Sequence, residues 1–137
     1  MDIRNVTPQL SVAPQILPQD VHAVHAMGFK SIVCNRPDGE GNDQPTFTEI
    51  QQEAEKLGMT CVYQPVTSGK VTLDDADTFV QSVQTLPGPT LAYCRTGTRS
   101  ITLWAMSASK SLGPDEVLKL SQRAGYDLAG FAALHAG

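Results

Sequence analysis

The feature that most constrains the fold is an alternation of short apolar segments with segments of helical periodicity. The apolar segments have the length of strands and cover residues 9–13, 30–34, 60–66 and 90–93. The helical segments cover residues 17–29, 46–58, 72–86 and 100–112, and two shorter helices are expected to begin at Pro114 and Asp127. Strands separated by helices pair in parallel through right-handed crossovers. We therefore expect one α/β domain over residues 1–137, with a mainly parallel central sheet flanked by helices.

Composition excludes several classes of function. The 137 residues carry a net charge of −4 and no basic stripe, which argues against nucleic acid as a partner. No apolar run is long enough to cross a bilayer, and the first ten residues lack the pattern of a signal peptide, so a cytoplasmic protein is expected. Three cysteines without a CxxC spacing favour neither a disulfide framework nor a metal site, and no cofactor is expected.

The segment "LAYCRTGTRSIT", residues 91–102, places a cysteine where an apolar strand meets a helix. In parallel sheets, ligands bind beyond the carboxyl ends of the strands, and Cys94 lies at such an end. Gly97 permits a tight turn, and the helix after it directs its N–H groups and positive dipole end toward the turn. These features predict an anion-binding cup with Cys94 at its base, and they favour the thiolate form of that cysteine.

The remaining residues of the loop suit the same cup. Arg95 and Arg99 offer guanidinium groups that bind oxyanions. Thr96, Thr98 and Ser100 offer hydroxyl donors, and Ser100 is predicted to hydrogen-bond the thiolate. The sequence thus predicts Cys94 and Arg99 as catalytic residues, with residues 95–98 and Ser100 binding the substrate.

The motif "CRTGTRS" resembles the active-site loop of rhodanese-type sulfurtransferases, which has four residues between cysteine and arginine. It also resembles the phosphate-binding loop of cysteine-dependent phosphatases, which has five. The order of "GFKSIVCNRPDGE", a helix and "GMTCVYQPV" is similar to that of dual-specificity phosphatases. The chain as a whole resembles the DUF442 family, the phosphatase-like domain of beta-lactamase hydrolase-like proteins. This resemblance implies a cysteine phosphatase-like α/β fold.

Three departures from the phosphatase pattern bear on the reaction. The loop is one residue shorter, and Tyr93 stands where the phosphatase signature has histidine. The segment "PVTSGKVT", residues 65–72, lacks the general-acid aspartate that the resemblance implies there. Asp75 and Asp77 are better explained as a helix cap and an exposed helix residue, which leaves Asp74 as a weak candidate. Sulfur transfer from a good leaving group needs no such acid.

Sulfur transfer through a Cys94 persulfide is therefore the first prediction from sequence. Its partners would be a small anionic sulfur donor and a thiol acceptor, and the resemblance adds a persulfide dioxygenase as a partner. The alternative is a tyrosine or dual-specificity phosphatase that forms a phosphocysteine on Cys94 and hydrolyses a phosphoester. A third hypothesis is an inactive module that binds an oxyanion or a phosphoprotein.

Four residues outside the loop are accessory candidates. Cys34 ends a strand and is either a core residue or a thiol that resolves an oxidised Cys94. Arg36 and Asp38 come next on a loop, where they either form a structural contact or touch the substrate. Lys70 is either a solvated lysine or a residue that attracts anions.

Overall fold

The computed structural model describes residues 1–128, and these residues form one layer of sheet between helices. The elements in chain order are β1 (Arg4–Thr7), β2 (Leu10–Ala13), a short 3-10 turn (Pro18–Asp20), α1 (Val21–Ala26), β3 (Ser31–Cys34), α2 (Phe47–Lys56), β4 (Thr60–Tyr63), α3 (Leu73–Thr85), β5 (Thr90–Tyr93), α4 (Thr98–Leu112) and α5 (Pro114–Arg123).

The five strands are ordered β1-β2-β5-β3-β4, so β5 lies at the centre of the sheet. The β2–β5, β5–β3 and β3–β4 pairs are parallel, and only β1 pairs antiparallel with its neighbour β2. This confirms the predicted α/β fold with a mainly parallel sheet. All four residues of β5 are buried, and Cys94 lies directly at the carboxyl end of this central strand.

Local sequence signals account for several element boundaries. Thr46 accepts a hydrogen bond from the Glu49 N–H and caps α2, and Thr72 forms a reciprocal capping box with Asp75 at the start of α3. Helix α4 begins at Thr98, two residues earlier than predicted, which brings its first turn to the end of the cysteine loop.

Two other boundaries differ from the sequence predictions. Strand β1 was not predicted, because its hydrophobic side chains are few and it is an edge strand that pairs with only one neighbour. Strand β4, the other edge strand, ends at Tyr63 rather than at residue 66. The Gln64 and Val66 N–H groups still donate to the Cys34 and Asn35 carbonyls beyond that end. The helix predicted to begin at Asp127 would lie mostly outside the described residues.

The hydrophobic core has two parts, one on each face of the sheet. Helices α3, α4 and α5 cover one face, where Phe79, Ile101 and Leu103 are buried. Helices α1 and α2 cover the other face with Val21, Val24 and other apolar side chains. Within residues 1–128, every helix is too short or too polar to cross a membrane.

Candidate active site at the end of the central strand

The sulfur of Cys94 lies at the base of a tight loop and is buried, with 0% of the residue exposed. The N–H of Gly97 donates a hydrogen bond to Cys94 Sγ at a distance of 3.0 Å. Gly97 has a φ of +91°, a conformation that favours glycine. The loop therefore directs a backbone donor at the sulfur, as the sequence predicted.

The first turn of α4 forms the rim of the same loop. The Thr96 hydroxyl accepts a hydrogen bond from the Thr98 N–H and donates one to the Thr98 hydroxyl. The next amides, those of Arg99 and Ser100, belong to the helix N-terminus, where N–H groups have no acceptor within the helix. Together with the Gly97 N–H they form a set of donors that could bind an anion.

Arg99 is 8% exposed and is held in place by two partners. Its Nη1 and Nη2 atoms donate to the two carboxylate oxygens of Glu40, each at 2.7 Å, and Nη1 also donates to the Val66 carbonyl at 2.9 Å. The Glu40 hydrogen bond raises the pKa of Arg99, burial opposes the rise, and the Cys94 charge adds to it. Arg99 therefore stays cationic with its guanidinium close to the sulfur.

Glu40 lies between two arginines, because Arg36 Nε also donates to its carboxylate at 3.0 Å. The hydrogen bond from Arg99 is the main cause that lowers the Glu40 pKa from 4.5 to about 2. Arg36 is itself fixed by a 3.1 Å hydrogen bond to Gln15 Oε1, which anchors it to the segment after β2. The carboxylate is thus ionised at neutral pH and fixes the orientation of Arg99.

Ser100 contacts a different partner from the one predicted. Its hydroxyl donates to Asn35 Oδ1 at 2.8 Å, and Asn35 Nδ2 donates to the Gln64 carbonyl at 3.0 Å. A hydroxyl has a single proton. Because that proton goes to Asn35, Ser100 ties α4 to the ends of β3 and β4 and does not donate to the thiolate.

A cleft of about 830 Å³ opens beside the cup. Its charged lining residues are Arg36, Glu40, Arg95 and Arg99. The other lining residues are mostly glycines and hydroxyl residues: Gly41, Thr67, Ser68, Gly69, Thr96, Thr98 and Thr102, with Val71 and Met106. Residues 67–69 belong to the segment that the family resemblance equates with the general-acid loop. That segment does face the cup, and it brings hydroxyl groups rather than a carboxylate.

The accessory candidates separate into two groups. Arg36 lines the cleft, as does the exposed loop residue Arg95, which was predicted to bind the substrate. Asp38 accepts a hydrogen bond from the Phe47 N–H at 2.8 Å, so its carboxylate caps α2 and serves the fold. Lys70 is exposed and comes after the cleft-lining residue Gly69 without lining the cleft itself.

Cys34 lies in register with Tyr93 on the neighbouring strand, one residue from Cys94. Its thiol donates to the Arg36 carbonyl at 3.3 Å. Burial is the main cause that raises the pKa of Cys34, and burial likewise raises the pKa of Tyr93. Cys34 is therefore a protonated core thiol in this state of the protein.

Sequence reasoning missed several residues that hold the loop. Glu40 lies in a glycine-rich stretch that signals only a turn, and no local pattern predicts an ion pair across 59 residues. Asn35 and Tyr126 were missed for the same reason, since their partners are distant in sequence. Tyr126 Oη donates to the Thr96 carbonyl at 3.0 Å.

Comparisons with known proteins place this geometry among phosphatase-like domains. A sequence model of the phosphatase-like domain of beta-lactamase hydrolase-like proteins matches residues 2–111. A beta-lactamase hydrolase-like protein from Agrobacterium fabrum is 36% identical over 101 residues, which are 74% of this chain and 23% of that protein. The chain thus spans about a quarter of the length of this relative.

Solved structures show the same fold. A Neisseria meningitidis protein described as a candidate phosphatase superposes with a TM-score of 0.88 at 37% identity, over 98% of this chain and 96% of that one. The Pseudomonas aeruginosa protein TpbA, solved in complex with phosphotyrosine, has a TM-score of 0.71 at 16% identity, over 98% and 82% of the two chains. The second similarity concerns the fold alone.

Proposed function

Because this chain belongs to the family of phosphatase-like domains of beta-lactamase hydrolase-like proteins, we propose that it is a cysteine-dependent phosphatase with Cys94 as the nucleophile. The comparisons favour this alternative over the sulfur transfer that the sequence predicted first. The proposal concerns only the phosphatase-like domain, because the aligned residues are 23% of the Agrobacterium fabrum relative and its remaining sequence has no counterpart in this chain.

The orientation of Arg99 is the observation that carries the proposal. A guanidinium has five N–H groups in a planar fork. Glu40 and Val66 take three of them, two on Nη1 and one on Nη2. The two that are left, on Nε and Nη2, lie on one edge of the group, and Cys94 is close enough to contribute to the raised pKa of Arg99. Such an edge binds two oxygens of a tetrahedral oxyanion.

The chemical step can be derived from these positions. The Cys94 thiolate attacks phosphorus, an Sγ–P bond forms, and the bond from phosphorus to the leaving oxygen breaks. Arg99 and the amides of the α4 N-terminus bind the phosphoryl oxygens as the transition state forms. Water then attacks the phosphocysteine, the Sγ–P bond breaks, and phosphate and the Cys94 thiolate are released.

The state of Glu40 predicts which leaving groups the site accepts. Among the residues lining the cleft, Glu40 is the one carboxylate, and with a pKa of about 2 it has no proton to give at neutral pH. Loss of general-acid assistance costs roughly 10²–10⁴ in rate. Aryl phosphates and phosphoanhydrides, whose leaving groups are weakly basic, are therefore favoured over alkyl phosphates.

Sulfur transfer is a second candidate, and the spacing of the loop favours it. Only four residues separate Cys94 from Arg99, as in the rhodanese loop, and a persulfide requires room for a single added sulfur atom. In that reaction the Cys94 thiolate would attack the outer sulfur of the donor, and the remaining anion of the donor would leave.

One set of assays separates the candidates. Wild type and Cys94→Ser are compared on an aryl phosphate, a phosphotyrosine peptide, an alkyl phosphate, and thiosulfate with cyanide, and mass spectrometry identifies the adduct on residue 94. We expect phosphate release from the two aryl esters, a phosphoryl adduct in wild type, and at least about 10²-fold slower release from the alkyl ester. A sulfur adduct with fast thiocyanate formation and no phosphate release would overturn the phosphatase proposal. Phosphate release undiminished in Cys94→Ser would also overturn it.

A further inference from the structure

We propose that Tyr126, from the segment after α5, is a positioning residue that orients the backbone donor facing the Cys94 sulfur. Its hydroxyl donates to the Thr96 carbonyl at 3.0 Å. The Gly97 N–H, which belongs to the same peptide unit as that carbonyl, donates to Cys94 Sγ at 3.0 Å. In a planar trans peptide the C=O and N–H point in opposite directions. A donor that holds the carbonyl therefore also aims the N–H.

The hydrogen bond from Tyr126 has an electronic effect in addition to the geometric one. A peptide whose carbonyl accepts a hydrogen bond becomes a stronger N–H donor, because hydrogen bonds in a chain polarise one another. The Cys94 charge in turn contributes to the raised pKa of Tyr126, after burial as the main cause, so the hydroxyl lies within electrostatic reach of the sulfur. The phenol thus keeps its proton and remains a donor.

The close approach of Tyr126 to Gly97 is a second observation that supports a positioning role for Tyr126. A Cβ at this position would collide with the Tyr126 hydroxyl, and it would also lie 3.0 Å from the ring carbon that bears the hydroxyl. The Ala13 carbonyl carbon would also lie 3.4 Å from such a Cβ. Residue 97 must therefore be glycine for two reasons, its positive φ and the close approach of Tyr126.

The chain places Tyr126 by a helix-ending motif. Gly125 adopts a φ of +94°, its N–H donates to the Gln122 carbonyl, and the Tyr126 N–H donates to the Ser121 carbonyl. This pattern is a Schellman motif, which fixes the exit of the chain from α5. Ala124 and Leu128 are buried on either side, so the segment is anchored in the core. It lies beyond residues 2–111, the range that the family model matches.

Tyr126→Phe tests this role, because it removes the hydroxyl and retains the ring. The matched control is Tyr63→Phe, which also loses a hydroxyl hydrogen bond, from the Asp38 N–H at 2.9 Å, away from the loop. The ionisation of Cys94 is followed by ultraviolet thiolate absorbance during a pH titration, with Cys94→Ser in each background as the reference. The amide resonance of Gly97 is followed through the same titration by NMR. Thermal unfolding verifies that each variant is folded.

We expect the midpoint of Cys94 ionisation in Tyr126→Phe to move upward by about half a pH unit or more, with a smaller pH-dependent shift of the Gly97 amide. Tyr63→Phe should match wild type in both measurements. An unchanged midpoint and amide shift in Tyr126→Phe would overturn the proposal, as would an equal change in Tyr63→Phe. Neither measurement requires turnover, so the result is independent of whether the domain hydrolyses phosphoesters.

Discussion

Cys34 and Cys94 lie at the carboxyl ends of adjacent parallel strands, and both are buried. Their hydrogen bonds with the backbone run in opposite directions. The Cys34 sulfur donates to the Arg36 carbonyl, whereas the Cys94 sulfur accepts from the Gly97 N–H. The first arrangement requires a proton on the sulfur, and the second stabilises negative charge on it. Two cysteines in one apolar layer therefore have different chemistry.

The difference arises from the segment that the chain enters at the end of each strand. After Cys34 the chain enters a turn-rich loop, and the thiol donates to a carbonyl oxygen of that loop. After Cys94 it enters a helix within four residues, so the N–H groups and positive end of α4 face the sulfur. Burial alone raises the pKa of a thiol, as it does for Cys34 and for Cys61, which reaches about 12. Donors and a guanidinium are needed to offset that effect.

Exchanging each cysteine for serine gives the sharpest test of this comparison and the largest effect. Cys94→Ser should lower kcat for an aryl phosphate by at least about 10³-fold, because the hydroxyl is a far weaker nucleophile here. Cys34→Ser should change kcat by no more than a few fold, because its thiol does not face the cleft. Similar losses in both variants would mean that the two sulfurs act together, for example as a nucleophile and its resolving partner.

Glu40→Gln tests whether the Arg99 guanidinium, which lies near Cys94, needs a carboxylate partner to keep its orientation. The amide offers only one acceptor oxygen to Arg99, so the guanidinium loses its bidentate support and its edge is no longer fixed. We expect kcat/KM to fall by about 10- to 100-fold. Glu49→Gln, on an exposed first turn of α2, makes the same chemical change away from the arginines and is the control. Full activity of Glu40→Gln would show that Arg99 needs no such support.

Ser100→Ala distinguishes a structural contact from a catalytic one. The substitution leaves Asn35 Oδ1 without its donor, which should lower the free energy of unfolding by about 1–3 kcal/mol. The kcat of the folded protein should change by only a few fold. Urea unfolding and steady-state assays measure the two quantities. A large loss of kcat without a loss of stability would instead support the hydrogen bond from Ser100 to the Cys94 thiolate that the sequence predicted.

The smallest effect concerns the pH dependence of stability. The folded-state pKa of Glu40 is lowered from 4.5 to about 2, so its ion pairs stabilise the protein fully above pH 4.5. That contribution is lost as the pH falls through about 2. The difference in free energy of unfolding between wild type and Glu40→Gln should therefore shrink between pH 4.5 and 2. A difference that stays constant over this range would mean that Glu40 does not form its ion pairs with Arg99 and Arg36 in solution.

Much of the fold could be predicted from sequence because its signals are local. The capping residues Thr46 and Thr72 mark the starts of two helices, and the apolar run before Cys94 marks the central strand. The edge strands were predicted less well, because one-sided pairing leaves a weaker hydrophobic pattern. The Cys94–Arg99 loop was predicted for the same local reason, since a strand, a glycine turn and a helix start are contiguous in the chain.

The supports of that loop could not be predicted, because each lies far away in sequence. Glu40 meets Arg99 across 59 residues, Asn35 meets Ser100 across 65, and Tyr126 meets Thr96 across 30. No local pattern distinguishes these residues from ordinary turn or cap residues. For Asp38 the sequence left a structural contact and a substrate contact open, and the structure shows that its carboxylate caps α2.

By itself, the sequence determined the α/β alternation, the place of Cys94 at a strand end and the glycine turn and helix start that follow it, because these depend on neighbouring residues. Only the tertiary structure decided which carboxylate fixes Arg99, where the Ser100 proton goes and which of two buried sulfurs accepts a hydrogen bond from a backbone N–H. Those outcomes depend on which loops the parallel sheet brings to one edge. Hydrogen bonds and ion pairs act over a few ångströms of space, whatever the separation along the chain.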